Sequence, residues 1–134
     1  MSKENLFNWC DFYNFADAFS DSNNSAELRS AISRMYYAIF CKSRDYIIEN
    51  NYYLSKDSKK VMNSKTGMVH SETIKILMNH NQFDSLKSKK VARELSRIRK
   101  SRNKADYHSF NYDLKYEFRF VKSRVKIISD YLFS

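Results

Sequence analysis

The chain has no proline and a single glycine among its 134 residues, and this scarcity constrains its fold more than any other feature. Sheets and turn-rich folds depend on these two residues because they supply the backbone angles of tight turns. Apolar residues make up 43% of the chain and aromatic residues 16%, which is more than disordered segments carry. The sequence therefore predicts an all-α fold, and its length fits a single domain over residues 1–134.

The spacing of apolar residues divides the chain into five predicted helices, which we interpret as a four- to five-helix up-and-down bundle. The predicted helices cover residues 4–19, 25–50 with Ser25 as the N-cap, a short stretch from Met68, 86–107, and 114–132 with Asp113 as the N-cap. Residues 54–66 are polar, carry little periodicity and are predicted to form a mobile connector. One long polar segment thus separates the second predicted helix from the third.

Composition also indicates where in the cell the protein is located and whether it binds a metal or another cofactor. No apolar run approaches the length of a membrane span, and the N-terminus has no signal-peptide pattern, so we expect a cytoplasmic protein that does not enter a membrane. Cys10 and Cys41 lack the spacing of metal ligands and are interpreted as reduced thiols. His70 and His80 have no cysteine or acidic neighbours in a ligand pattern and are interpreted as residues at helix ends. We therefore expect neither a metal nor another cofactor.

The net charge of +9 is concentrated on one predicted helix. Residues 87–104 contain nine of the 24 Lys and Arg residues and one acidic residue, Glu94. Within this helix, Arg93, Arg97, Lys100 and Lys104 recur at helical spacing opposite the apolar side. Such a stripe is either a solvated face or a surface that binds a polyanion, with nucleic acid favoured over membrane.

An arginine occupies a core position near the end of this basic helix. Val91, Leu95 and Ile98 form its apolar side, and the next position in the same register is Arg102. A guanidinium is costly to bury without a partner. Either Asp106, one turn further on, pairs with it as an ordinary (i, i+4) ion pair, or the apolar side opens here into a cleft that uses the charge.

Four segments of the chain resemble the HEPN superfamily of small all-helical prokaryotic domains, in the order expected for that family. They are Ser33-Arg34-Met35-Tyr36-Tyr37-Ala38-Ile39-Phe40, His70-Ser71-Glu72-Thr73-Ile74, Leu95-Ser96-Arg97-Ile98-Arg99 leading into Ala105-Asp106-Tyr107, and the Arg-polar-x4-His arrangement of Arg102, Asn103 and His108. The resemblance spans residues 25–132 and implies a HEPN-like helical bundle.

For members that retain the Arg and His pair, the resemblance implies a metal-independent endoribonuclease whose active site is shared across a homodimer. Arg102 would then bind the scissile phosphate, His108 would transfer protons and Asn103 would orient them. This chemistry is reasonable because histidine titrates near neutral pH and arginine is a permanent bidentate donor. In an ideal helix Arg102 and His108 lie about 120° apart, so their convergence requires the helix to end near Tyr107.

The resemblance also implies a biological setting and partners. We expect RNA as the substrate, a toxin or antiviral defence role, and an antitoxin or nucleotidyltransferase as a further partner. Relatives that such a transferase modifies carry a tyrosine two residues after the histidine, whereas this chain has Phe110 there. The alternatives are a non-catalytic HEPN module that binds nucleic acid, a nucleotide or a protein, and a helical bundle whose basic helix docks an acidic partner.

Overall fold

The computed structural model describes residues 8–83, 85–107 and 113–133, and over these ranges the chain is helical without a strand. The six α-helices are α1 (Trp9–Asp17), α2 (Ser25–Asn50), α3 (Lys56–Met62), α4 (Met68–Asn79), α5 (Leu86–Tyr107) and α6 (Leu114–Phe133), with a short 3-10 turn at Asn81–Phe83. The prediction of an all-α helical bundle is confirmed. None of the described helices combines the length and apolar character needed to cross a bilayer.

Helix α2 is the centre of the bundle and packs against α1, α4, α5 and α6. Its residues Ala38–Cys41 are all buried, which places neighbouring helices on every side of this stretch because consecutive helical residues point about 100° apart. The apolar sides of the other helices close around it, as seen for Leu95 and Ile98 of α5 and Phe118 and Val125 of α6, which are all fully buried. Any side chain on α2 that reaches a neighbouring helix therefore does so from a rigid element.

The prediction of a mobile connector over residues 54–66 is wrong, because helix α3 lies within this segment. Ser55 caps it by accepting a hydrogen bond from the Ser58 amide at 3.1 Å, and Met62 is buried against the core. Ser58 also donates to the Glu72 carboxylate of α4 at 3.2 Å. The helix has only seven residues, so its stability comes from these contacts rather than from a periodic apolar pattern.

The helix ends follow the predicted positions with two differences. Helix α2 is capped by Asn24, whose side chain accepts from the Glu27 amide at 3.0 Å, and Ser25 is instead its first residue. Helix α1 begins at Trp9, after an Asn8 N-cap, and ends at Asp17, whereas it was predicted over residues 4–19; residues 1–7 lie outside the described part of the chain. The Asp113 cap of α6 is confirmed, since its carboxylate accepts from the Tyr116 amide at 3.0 Å.

Helices α5 and α6 are joined by a buried carboxylate. Glu94 is 3% exposed, and one of its oxygens accepts a hydrogen bond from Arg97 at 3.0 Å. Its second oxygen lies 3.3 Å from Nε of Arg124 on α6, an ion pair whose angle does not make a hydrogen bond. This shared anion fixes α5 in register against α6 and accounts for the one acidic residue in the basic segment.

Candidate functional site

Arg102 occupies the core position of α5 that its spacing predicts, and it is partly buried there. Its Nη1 lies 3.6 Å from the Asp106 carboxylate, which is the predicted (i, i+4) ion pair. Its Cζ also lies 5.3 Å from the centre of the Tyr36 ring on α2, within the range of a cation–π contact. A carboxylate and an aromatic face together therefore offset the burial of this charge.

The end of α5 is fixed to α2 by two further contacts. Arg29 donates to the backbone carbonyl of Ala105 at 3.0 Å, and so satisfies one of the carbonyls that a helix C-terminus leaves without an intrahelical partner. The hydroxyl of Ser33 donates to Asp106 at 3.3 Å. These contacts set the position from which Arg102 reaches toward α2.

His70 lies beside Arg102 at the centre of the same cluster. Its Nδ1 is 2.7 Å from the Tyr36 hydroxyl, and its ring stacks on Phe40 with centroids 3.9 Å apart. Tyr36 and Phe40 are one turn apart on α2, so the imidazole of α4 lies against two aromatic rings of the central helix. The prediction that His70 is merely a residue at the start of a helix did not anticipate this environment.

Arg99 completes the cluster from the turn of α5 that precedes Arg102. Its Nη1 donates to the hydroxyl of Ser71, the residue after His70, at 3.2 Å. No carboxylate pairs with Arg99 among the residues that the structure describes. The Nε atoms of Arg99 and Arg102 are both buried and have no hydrogen-bond partner in the described ranges. We call Tyr36, His70, Ser71, Arg99 and Arg102 the arginine–histidine cluster.

The cluster keeps its histidine and its tyrosine neutral near neutral pH. Burial, followed by the positive charges of Arg99, Arg102 and Arg44, lowers the pKa of His70 from 6.5 to about 4. Burial raises the pKa of Tyr36 above its usual value of 10.0, although Arg99 and Arg102 oppose this shift. A neutral imidazole with its proton on Nε2 accepts a hydrogen bond from the Tyr36 hydroxyl at Nδ1.

The other residues predicted for the site lie on or near the outer side of α5. Arg93, Lys100 and Lys104 are exposed and share one face, while Arg97 is exposed but paired with Glu94. Asn103 is partly buried next to Arg102. The described part of α5 ends at Tyr107, and His108 lies outside the described residues.

The structure thus adds His70, Ser71, Arg99 and the hydroxyl of Tyr36 to the candidate site residues, although all four lie within the motif segments of the sequence. The available signal was the position of His70 beside Val69 and Thr73, which are buried and share the inner side of α4 at (i, i+4) spacing. No group of three or more His, Cys, Asp or Glu side chains that could hold a metal occurs in the described ranges. The arrangement instead has the chemistry of an anion site, with two guanidinium groups and a hydroxyl around a neutral imidazole.

Comparison of the chain with protein-family models, with curated proteins and with solved structures gives no match in any of the three. The functional interpretation therefore depends on the geometry of the cluster and on the motifs of the sequence.

Proposed function

We propose that this protein is a metal-independent endoribonuclease of the HEPN type that acts as a toxin or defence effector in the cytoplasm. The observation that carries the proposal is the pair of partly buried arginines on α5, Arg99 and Arg102, of which Arg99 has no carboxylate partner among the described residues. Two guanidinium groups held by a rigid helix next to an imidazole suit a phosphodiester better than they suit an apolar ligand.

The reaction needs two proton transfers and stabilisation of negative charge. The 2′-oxygen of the ribose attacks phosphorus while its proton passes to a base, and the bond from phosphorus to the 5′-oxygen breaks as that oxygen receives a proton from an acid. The products are a 2′,3′-cyclic phosphate and a 5′-hydroxyl. In this proposal Arg102 stabilises the pentacoordinate phosphorane, and the His108 residues of two protomers transfer the protons. Asn103 orients these groups.

Arg102 can exchange its carboxylate partner for a phosphate at small cost. The contact with Asp106 is 3.6 Å long and joins two partly exposed side chains, and such pairs contribute about 0–1 kcal/mol. A phosphodiester oxygen offers the same charge as the carboxylate and accepts the same hydrogen bonds. The ion pair therefore holds Arg102 in place without preventing it from binding substrate.

The proposal is tested by incubating RNA with the purified protein and with its Arg102→Ala and His108→Ala variants in the presence of EDTA. We expect the wild type to cleave RNA to 2′,3′-cyclic phosphate ends, and each variant to lose on the order of a hundredfold or more of the rate. His80→Gln and Arg119→Gln are the matched controls, since each removes a histidine or an exposed arginine away from the cluster. RNA left intact by folded wild-type protein contradicts the proposal, and cleavage that survives His108→Ala contradicts the assigned mechanism.

A second candidate function is RNA or nucleotide binding without cleavage. The exposed face formed by Arg93, Lys100 and Lys104 favours it, because a positively charged face on one helix binds a phosphate backbone without any catalytic group. Salt-dependent RNA binding by the wild type without formation of cyclic phosphate ends distinguishes this function from the first.

A further inference from the structure

The positive charges around His70 are only partly compensated. Two of the three arginines that act on its pKa have a carboxylate neighbour, since Arg44 pairs with Asp45 at 3.0 Å and Arg102 with Asp106 at 3.6 Å. Arg99 has no such neighbour among the described residues, and its guanidinium contacts Ser71 next to the imidazole. The cluster therefore carries a local positive charge that an anion would balance.

The groups that act on His70 come from α2 and α5, which pack against α4 together with α3. They are Tyr36 and Arg44 on α2 and Arg99 and Arg102 on α5, while Glu72 on α4 is hydrogen-bonded to Ser58 of α3 and is not among the charges that act on the imidazole. The charged groups among them that act on the imidazole are all arginines. Its electrostatic environment is thus governed by positive charge, and an anion bound between Arg99 and Arg102 would offset part of that charge.

We propose that a phosphate group of the RNA backbone binds between Arg99 and Arg102, and that His70 takes up a proton from solvent as it binds. The ligand identity rests on the proposed function, whereas the binding and the proton uptake need no cleavage. Protonated His70 then adds a positive charge to the same site. Phosphate binding and protonation of His70 are thermodynamically linked. Phosphate raises the proton affinity of His70 by some factor, and protonation of His70 raises the affinity for phosphate by the same factor.

Tyr36 allows this change of protonation without leaving a polar atom unpaired. Its oxygen lies 2.7 Å from Nδ1 of His70. When the imidazole is neutral, with its proton on Nε2, the hydroxyl donates to Nδ1. When it is protonated, Nδ1 donates to the same oxygen. The contact is therefore retained in both states, and the stacked Phe40 ring keeps the imidazole in place.

The depressed pKa of His70 makes the coupling measurable. Its value of about 4 is held down by burial and by Arg99, Arg102 and Arg44. A bound phosphate offsets the contribution of the arginines, so the pKa rises on binding. Each unit of this rise corresponds to a tenfold tighter binding of phosphate by the protonated form.

The test is a pH titration of the histidine imidazole signals by NMR, with and without saturating 3′-AMP. The chain has three histidines, and the His70→Gln variant assigns the signal of His70. We expect the pKa of His70 to rise by about one unit or more in 3′-AMP and to stay unchanged in adenosine, which lacks the phosphate. The same pKa with and without bound 3′-AMP, or no binding of 3′-AMP, overturns the proposal.

The Arg99→Gln variant gives a second readout that a purely structural role of His70 would not move. Without ligand, the pKa of His70 in this variant is expected to be higher than in the wild type, because a repelling charge is gone. With 3′-AMP, the further rise is expected to be largely lost. Lys75→Gln, at an exposed position on the same helix as His70, is the matched control and retains the wild-type response.

This titration separates the present proposal from the proposed function. A pKa rise in 3′-AMP without RNA cleavage supports the phosphate site and contradicts the nuclease function. Cleavage by the wild type without a pKa rise supports the nuclease function and contradicts the proton uptake at His70.

Discussion

At the scale of single residues, the charge state of His70 is determined by side chains from two other helices. Tyr36 and Phe40 of α2 bury one side of the imidazole, and Arg99 and Arg102 of α5 repel the positive form. Burial alone would lower the pKa of any histidine to some extent. Burial, together with this repulsion, keeps the His70 imidazole neutral near neutral pH, and the neutral ring can accept a hydrogen bond.

This charge state predicts a pH-dependent loss of stability between roughly pH 6.5 and pH 4. The pKa of His70 is 6.5 in its ordinary state and about 4 in the fold, so the unfolded chain binds the proton first as the pH falls. The free energy of unfolding therefore decreases over this range, by on the order of 1–2 kcal/mol after allowance for the partial exposure of the ring.

Urea denaturation of the wild type and of His70→Gln at several pH values measures this contribution as the difference between the two proteins. His80→Gln serves as the matched control for the loss of a histidine ring. We expect this variant to keep the decrease in the free energy of unfolding that His70 causes at low pH. Parallel pH profiles for the wild type and His70→Gln would show that the prediction is wrong.

The sequence indicates the anomaly at Arg102 but not the residues that surround it. The position of Arg102 follows from helical spacing within one segment, and so does its contact with Asp106. The bond between Tyr36 and His70 joins positions 34 residues apart, and no local pattern encodes which helices meet. The geometry of Arg102 relative to His108 stays a prediction, because His108 lies outside the described residues.

At the scale of helices, α5 has different neighbours on its different sides. Its inner side packs in the core and ends in Arg102, its outer side presents Lys100 and Lys104, and Glu94 attaches it to α6. The position of Arg99 and Arg102 relative to α2 and α4 therefore depends on contacts that α5 makes two turns earlier. Glu94 adds an ion pair with Arg124 of α6 to the apolar contacts between α5 and α6.

We expect Glu94→Gln to lower the free energy of unfolding by about 2–3 kcal/mol. The substitution keeps the size of the side chain but removes the carboxylate, itself 3% exposed, that accepts a hydrogen bond from Arg97 and pairs with Arg124. Thermal or urea denaturation measures the loss. Arg97→Gln is the matched control, and it costs less than about 1 kcal/mol because Arg97 is 58% exposed. Equal losses in the two variants would contradict a special role for the buried carboxylate.

The start of α6 was predictable because the Asp113 cap and the apolar periodicity agree, and the starts of α4 at Met68 and α5 at Leu86 followed from periodicity alone. Helix α3 was not predictable, because in seven residues only Val61 and Met62 are apolar. Its formation depends on the Ser55 cap and on the contact of Ser58 with Glu72. The Ser55 cap is a local signal, but the polar composition of the segment made it hard to recognise. The contact of Ser58 with Glu72 exists only in the folded protein, where α3 meets α4.

At the scale of the whole molecule, the net charge of +9 acts in opposite directions on the two proposed partners. Two copies of the chain repel each other, and salt screens that repulsion. Binding of the proposed RNA substrate instead weakens with salt. It releases counterions from the phosphate backbone, and this release is less favourable when the salt concentration in solution is already high. Assembly and substrate binding therefore have opposite salt dependence.

We predict that the proposed dimer forms more tightly as the salt concentration rises, while RNA binds less tightly. Light scattering at a series of protein concentrations gives the mass, which we expect to reach twice that of the chain. The rate of RNA cleavage per protomer falls on dilution along with the dimer fraction, since each site needs both protomers. Full activity per protomer in a sample that is wholly monomeric would contradict the shared site.

The double role of Tyr36 has a consequence for how the protein could acquire a new ligand preference. The ring of Tyr36 is part of the core, with 1% of its surface exposed, and its hydroxyl is part of the cluster. A mutation of Tyr36 that alters ligand recognition therefore also disturbs the packing of the core. Ser71 is exposed and Arg99 only partly buried, so mutations at these two positions disturb the core less. In a library selected for binding to a different anion, we expect accepted changes to accumulate on α4 and α5, while the central helix stays almost unaltered.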